Sequence, residues 1–535
     1  MTLPLARRLA RRTDRRIALA TGLGALGGAG AALGAGRTAA APARPGGGGE
    51  PFAGYGPLVP DPNPRRVIDL PAGFQYRVLI ERGDALSNGD PRPGQADGMA
   101  AFPLSGGRTL LVMNHENTYR GFAGIVPVLL DGAYDPEAAG GTTALVVAPD
   151  LRVEQAYATS AGTVRNCAGG PTPWGTWITC EETEHVPGLP DVPATRRHGY
   201  AFEVLPTGPG GAGPQQVRLP GFGRYNREAA AIDPATGIAY LTEDHARGLL
   251  YRFVPEGPRP AGFGAYARPG RLEALRIEQL GDTTSRVPGQ RPFRVGWVTI
   301  DDPDAVEVPT REQGAAKGAT IFSRGEGMWY AGGAVFFTAT SGGGLEAGQI
   351  WRYVPSTGMV ELFYESWDRA EMEGPDNVTV HPTSGDLYVC EDGPGTDLLR
   401  VVTPEGAAFP FARVAISPDD PRHAGGPGIT DTAGEVPGSP PDGRIDGEDA
   451  GACFSPDGRV LFLNIQAPSM TIAVWGPFRP GLRVGDTTPG TRAMAFAAPP
   501  PGWLPPMSDG VLGRGAEYGY RPTEIAALRA MGVDF

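Results

Sequence analysis

Cysteine is scarce: Cys167, Cys180, Cys390 and Cys453 are all that 535 residues contain. So few cannot build a disulfide framework, although an even number in an exported chain leaves three pairings open. Histidine is equally sparse at 6, and neither His115 nor His185 stands in a His-Glu-x-x-His or His-x-His arrangement, which removes the usual zinc-hydrolase signatures. The glycine stretches at 331–333 and 341–344 lack a following Gly-Lys-Ser/Thr, so they read as tight turns and not as a P-loop. A cationic surplus is missing too: the net charge of -12 argues against nucleic acid, whose phosphate backbone is bound by clustered Lys and Arg. Beyond the N-terminus no run reaches the roughly 18 apolar residues of a membrane span. Helical periodicity is rare, with LEALRIEQL at 272–280 and PTEIAALRAMG at 522–532 the best cases.

What the chain does have is turns. Gly 81 and Pro 56 accompany an ordinary 41% of apolar residues, the composition of a folded, turn-rich protein. Residues 1–16 carry six Arg, an Ala/Gly/Leu stretch follows, and small residues near Ala41 or Ala43 suit cleavage. Residues 1–41 therefore read as an export signal, and Arg15-Arg16 before Ile17, Ala18 and Leu19 points to the twin-arginine route. Residues 42–65 read as a Gly/Pro-rich linker, and 66–535 as a single domain with a loop-rich C-terminal extension. Packed structure is expected to begin near Val67-Ile68-Asp69-Leu70.

Six apolar β-type runs end abruptly in small, polar or acidic residues: LLVMNHEN at 110–117, TWITCEET at 176–183, IAYLTEDH at 238–245, AVFFTATS at 334–341, DLYVCEDG at 386–393 and VLFLNIQA at 460–467. A twisted antiparallel sheet cannot bury both faces alone, so the units are expected to pack radially as a six-bladed, all-β propeller with irregular insertions and few short helices. The competing architecture is a β-sandwich with appendages, which does not account for six similar strand ends.

At one mouth of a propeller, loops distant in sequence converge. Crowded carboxylates there repel unless cations or protons neutralise them, so Glu116, Glu181, Glu182, Glu243, Asp244, Glu391 and Asp392 form a metal-site hypothesis. In TPWGTWITCEET a soft donor, Cys180, stands beside the hard donors Glu181 and Glu182, a mixture that suits a transition ion together with calcium. On the residues alone, Cys180 could equally be a buried strand cysteine or pair with Cys167.

The ordered segments DGMAAFP (97–103), MNHEN (113–117), GTVRNCAGGPTPWGTWITCEET (162–183), HGYAFEV (198–204), GRYNREAAAIDPATGIAYLTED (223–244), SRGEGMWYAGGAVFFTATSGG (323–343), GQIWRY (348–353), EGPDNVTVHPTSGDLYVCEDG (373–393) and GACFSPDGRVLFLNIQAP (451–468) resemble the alkaline phosphatase PhoX family. The resemblance spans most of the chain after residue 65. It implies two ferric irons and three calcium ions, a cysteine thiolate bridging the irons, and hydrolysis of small phosphomonoesters. Carried over, Cys180 would be that thiolate, Glu181, Glu182, Glu228, Glu326, Asp376 and Asn377 metal ligands, and Arg324 the phosphate grip beside a catalytic Glu326. A monomer is expected, exported to the periplasm or medium and free of the membrane once its signal is removed. The sequence departs from the family pattern at Arg227, where His is expected, and at Glu373, where Asp is expected. The rival readings are a calcium-dependent lactonase-like hydrolase propeller and a non-catalytic exported binding propeller.

Overall fold

The computed structural model describes residue 52 and residues 54–121, 125–206, 215–278, 280–283, 292–393, 397–416 and 449–479. The residues read as an export signal, the helix read at 522–532 and the C-terminal extension lie outside the described residues, as do residues 417–448.

The architecture is all-β and propeller-like. Strands form where Val, Ile, Leu, Phe and Tyr alternate between faces and Gly, Pro, Asp or Asn mark the turns. Two four-stranded meanders are simple: Ala96–Pro103, Thr109–His115, Gly140–Val147 and Val153–Thr163 form one, and Asn166–Pro171, Trp177–Glu181, Ala201–Val204 and Gln216–Arg218 the next. A nine-stranded sheet joins two further meanders at their outer edges, where Phe293–Thr299 pairs with Met359–Glu365. The sheet beginning at Pro375–Val380 continues outward through Ala408–Val414 to Ile68–Pro71 and Leu58–Val59. In the last sheet, Gln75–Glu81 pairs with Met470–Trp475, so an N-terminal strand closes the C-terminal unit. That pairing covers an edge that would otherwise present unpaired backbone groups.

The strands Ala96–Pro103, Asn166–Pro171, Arg227–Ile232, Gly325–Ala331, Pro375–Val380 and Asp449–Phe454 line the centre, each packed against the next and the last against the first. They approach closely: a Cβ on Gly170 would lie 1.8 Å from the Ala230 carbonyl oxygen of the neighbouring strand. Gly170→Ala is therefore expected to cost on the order of 3 kcal/mol in denaturant unfolding, because backbone on both sides must shift.

Two expectations change here. LEALRIEQL is not a helix: Gly270–Ile277 is a strand paired on both sides, with Tyr251–Pro255 and Phe293–Thr299. Leu272 and Ala274 enter one apolar cluster while Leu275 and Ile277 enter another on the opposite face, a two-sided burial that overrides local helix preference. Ordered packing also begins before Val67, within the stretch read as linker: Leu58 and Val59 pair with Pro71 and Leu70, and the Tyr55 ring packs edge-on against Phe74 and Phe411. Among the described residues the one α-helix is Thr310–Ala316, and no helix is long and apolar enough to cross a membrane.

Candidate metal centre

Each of the six central strands slips register by a bulge within its first residues: after Ala96, Asn166, Arg227, Gly325, Pro375 and Ala450. A bulge re-aims the side chain it carries, which is why bulges recur beside functional sites. At the second position of these strands stand Asp97, Cys167, Glu228, Glu326 and Asp376, with Ala450 in the sixth. The first five gather. Donor atoms of Cys167, Glu182 and Glu228 lie within 4.8 Å of one another, as do those of Glu228, Glu326 and Asp376. The Cys167 Sγ donates to Asp97 Oδ2 at 3.3 Å.

A second tier comes from residues immediately following the neighbouring strands: Glu116, Glu182, Asp244 and Asp392. Two arginines thread it. Arg165 Nη2 reaches Glu116 Oε1 at 2.8 Å and Glu182 Oε2 at 2.5 Å. Arg324 donates from Nε to Asp244 Oδ1 at 3.0 Å and from Nη2 to Glu326 Oε1 at 2.6 Å, with Asp392 Oδ2 at 3.7 Å. Both arginines hold left-handed backbone, with φ of 50° and 52°, at the step into a central strand. Such strain in a non-glycine residue persists where the surroundings fix it, and here it points both guanidinium groups at the acids.

The electrostatics are one-sided. Asp97, Glu116, Glu182, Glu228, Asp244, Glu326, Asp376 and Asp392 contribute eight carboxyls against the two guanidinium groups of Arg165 and Arg324. Burial first, then Glu326, Asp376, Glu182 and Asp97, hold Glu228 well above the usual carboxylate range. Burial likewise raises Asp97, Glu182 and Glu326, and pushes Asp376 up to about 7, with Asp392 the next cause. The Cys167 thiol is raised by burial and then by Asp97.

Glu228 tests whether these residues suit metal ions. Both its oxygens are buried and have no hydrogen-bond partner among the described residues, and Asp97 Oδ1 is in the same position. Unsatisfied buried carboxylate oxygens facing like charges are costly, and cations supply the missing partners. Carboxylates at hard positions and one thiol at a soft one fit a mixture of calcium and a transition ion.

The structure divides the residues expected from sequence. Glu182, Glu228, Glu326 and Asp376 come together with Arg324; Asn377 supports them, donating to Asp376 Oδ1 at 2.9 Å while its Oδ1 accepts from Gly451 N at 3.0 Å. Cys180 does not join them. Its side chain is fully buried in the apolar cluster with Trp177, Ile178 and Tyr225, and the thiol beside the acids is that of Cys167. Glu181 is also elsewhere, since it accepts from Val164 N, Gly199 N and Tyr200 N and meets His198 Nδ1 at 2.6 Å. These bonds occupy both its oxygens and leave it a structural staple. The same division holds at two other strand ends: Glu243 takes Leu249 N, the Tyr251 hydroxyl and Arg311, and Glu391 takes Glu373 N, Leu398 N and Arg400. In each acidic pair the first residue is spent inside the sheet and the second, Glu182, Asp244 or Asp392, faces the charged cluster.

Arg227 points away from the acids. It lies over the Tyr225 ring, 4.1 Å from its centroid, and donates to the Gly223 and Phe222 carbonyls. Glu373 pairs with Arg369 on the surface. His115 is buried between Gly94 O and Thr143 Oγ1, both at 2.8 Å, and His185 meets the Tyr119 hydroxyl at 2.9 Å. All four cysteines are buried and no disulfide joins them.

Three comparisons place this geometry among known proteins. The family profile of alkaline phosphatase PhoX matches residues 53–155 and 149–469. No curated protein matches the sequence. Among solved structures, PhoX of Pseudomonas fluorescens in complex with vanadate, a transition state analogue, is similar with a TM-score of 0.57 at 19% identity, over 78% of this chain and 97% of that one. A gluconolactonase of Xanthomonas campestris aligns with a TM-score of 0.36 at 11% identity, over 80% of this chain and 99% of that one. The profile covers most of the sequence and includes the central strands Ala96–Pro103 through Asp449–Phe454 that carry the acids: the chain belongs to the alkaline phosphatase PhoX family and is an alkaline phosphatase.

Proposed function

We propose that this phosphatase is exported, by the twin-arginine route, and hydrolyses small phosphomonoesters at an iron and calcium cluster held in the mouth of a six-bladed propeller. The observation that carries the reading is Glu228, shared by both close donor groups and lacking any other partner for its oxygens among the described residues. Cys167, Glu182 and Glu228 would hold the thiophilic iron, and Glu228, Glu326 and Asp376, with Asn377 positioning Asp376, would hold calcium. When bound, the ions supply positive charge for the nonbridging phosphate oxygens and activate an oxygen nucleophile.

The chain's own contribution is binding and orientation. Arg324 spans Asp244, Glu326 and Asp392, so its donors already converge at the edge of the acid cluster. Neutralising those carboxylates with cations frees its planar fork for bidentate bonds to a phosphate. Arg165 occupies the matching place between Glu116 and Glu182 and serves as a second grip, one that the sequence patterns did not single out. Lactonase and binding-only propellers also use axial acids, but a buried thiol among them has no role in a calcium-only site.

The test is metal content measured with phosphate release. Purified protein is expected to contain iron and calcium and to hydrolyse nitrophenyl phosphate. Arg324→Ala should raise KM and lower kcat/KM by roughly 100-fold while retaining both metals. Colourless, iron-free protein that opens lactones and leaves nitrophenyl phosphate intact would overturn the reading.

A further inference from the structure

The five central strands that supply Asp97, Cys167, Glu228, Glu326 and Asp376 do so from bulges, and a bulge takes backbone groups out of the ladder. Buried carbonyls released in this way need other donors. For four of the five the donor is a side chain of the meander before. Asn464 Nδ2 donates to Asp97 O at 2.5 Å, and Asn114 Nδ2 donates to Cys167 O at 2.8 Å and Ala168 O at 2.7 Å. Thr242 Oγ1 donates to Glu326 O at 2.6 Å, and Thr338 Oγ1 to Asp376 O at 2.8 Å. All four are buried, and each stands one residue before the end of its meander's second strand. At that place the other two meanders carry Cys180 and Cys390.

Two of these contacts are held from both ends. Asn114 Oδ1 accepts from Trp177 Nε1 and from Thr179 Oγ1, both at 2.8 Å, so its amide uses its donors and its acceptor at once and cannot turn. The Thr242 hydroxyl accepts from Ala229 N at 3.0 Å while donating to Glu326 O. Ala229 follows Glu228 in its bulge, so one hydroxyl ties the backbone that carries Glu228 to the backbone that carries Glu326, two members of the same close donor group.

We propose that Asn464, Asn114, Thr242 and Thr338 are positioning residues, which clamp the backbone of Asp97, Cys167, Glu326 and Asp376 from the neighbouring meander and so set the spacing of the metal-binding side chains. A carbonyl lies in the rigid peptide plane that follows its own side chain, so fixing its direction limits where that side chain can aim. Without the clamp, like-charged donors are free to move apart, and an ion then meets a looser set of ligands. The inference rests on the metal-centre reading. Its rival is that these groups only satisfy buried carbonyls, which predicts lost stability and unchanged ion affinity.

Full-length protein stripped by a chelator and titrated calorimetrically with calcium chloride separates the two. Thr242→Val, which deletes the hydroxyl and nearly keeps the shape, is expected to weaken calcium binding on the order of 10-fold, and Thr242→Ser to restore the wild-type affinity. Thr320→Val is the matched control: Thr320 is equally buried, accepts from Ile277 N at 2.8 Å and donates to Leu280 O at 2.7 Å, both partners outside the acid cluster. It should lower the metal-free Tm as Thr242→Val does and leave calcium affinity alone. A folded Thr242→Val that binds calcium as tightly as wild type, or that is weakened no more than Thr320→Val, overturns the proposal. Thr338→Val carries the same expectation and decides the matter if Thr242→Val does not fold. Wild type that takes up no calcium would instead end the metal-centre reading, and the clamps with it.

Discussion

Cys167→Ala is expected to lose iron and at least ~100-fold in kcat/KM, whereas Cys180→Ala keeps both within about twofold. The two thiols differ in surroundings, not in depth. Cys167 donates to Asp97 at 3.3 Å and lies within 4.8 Å of donor atoms on Glu182 and Glu228, so an ion placed among those acids meets its sulfur. Burial and the adjacent carboxylates push its pKa up, which keeps it a thiol until a thiophilic cation displaces the proton. Cys180, by contrast, is a core side chain: burial pushes it up to about 11 against the opposing pull of the Arg227 guanidinium, and it belongs to the apolar cluster that includes Trp177, Ile178 and Tyr225. Replacing it removes one sulfur from a packed interior and should cost about 1 kcal/mol in stability. Iron analysis by plasma mass spectrometry and nitrophenyl phosphate kinetics on both variants decide the matter. Retained iron and turnover in Cys167→Ala would remove the thiolate from the proposed centre.

The reason the sequence pointed to Cys180 while the acids gather around Cys167 is geometric. Strand ends were legible because acids follow apolar runs, and that signal found Glu116, Glu182, Asp244 and Asp392. It could not tell the inward from the outward member of a pair, since which side chain faces the cluster depends on the sheet's phase at its end. Cys180 and Glu181 sit before that end, and both are consumed within the protein. The residues at the start of the central strands were harder still. Asp97 and Cys167 open short stretches, Asp-Gly and Cys-Ala, in which nothing periodic marks a bulge. A faint signal was present: every acid or thiol at this position is followed by a Gly, Ala or Asn, and at Gly98, Gly327 and Gly451 an added Cβ would lie within 2.6 Å of the adjacent strand's backbone. Close approach of neighbouring strands demands the small residue, and the polar residue before it is thereby delivered to the centre.

Stripped of cations, the protein is expected to be more stable in acid than at neutral pH, the reverse of ordinary salt-bridged carboxylates. Asp97, Glu182, Glu228 and Glu326 all have pKa values raised by burial, and Asp376 reaches about 7. Each therefore binds its proton more tightly folded than unfolded, so the folded state holds more protons across this range and stability falls as pH rises. The contribution is fully present below the unfolded carboxyl range, near pH ~4, and is lost as pH climbs through the folded values, by about 7 for Asp376. For Asp376 alone the loss is on the order of a few kcal/mol. His198, held between Glu181 and Asp135 with its pKa raised, contributes in the same direction, so the slope of the chelated protein is not by itself a signature of the acids. Calcium separates the two: cations neutralise the clustered carboxylates but do not touch the His198 pair, so saturating calcium should remove most of the fall in Tm between about pH 5 and pH 8 and leave only the histidine part. Glu228→Gln in the chelated state should flatten the same curve from the other side, because it deletes the charge on which Glu326, Asp376, Glu182 and Asp97 all act. A chelated wild type equally stable at both pH values would mean that these carboxyls are not crowded together, and a Glu228→Gln protein with an unaltered pH slope would mean that Glu228 is not where their charges meet.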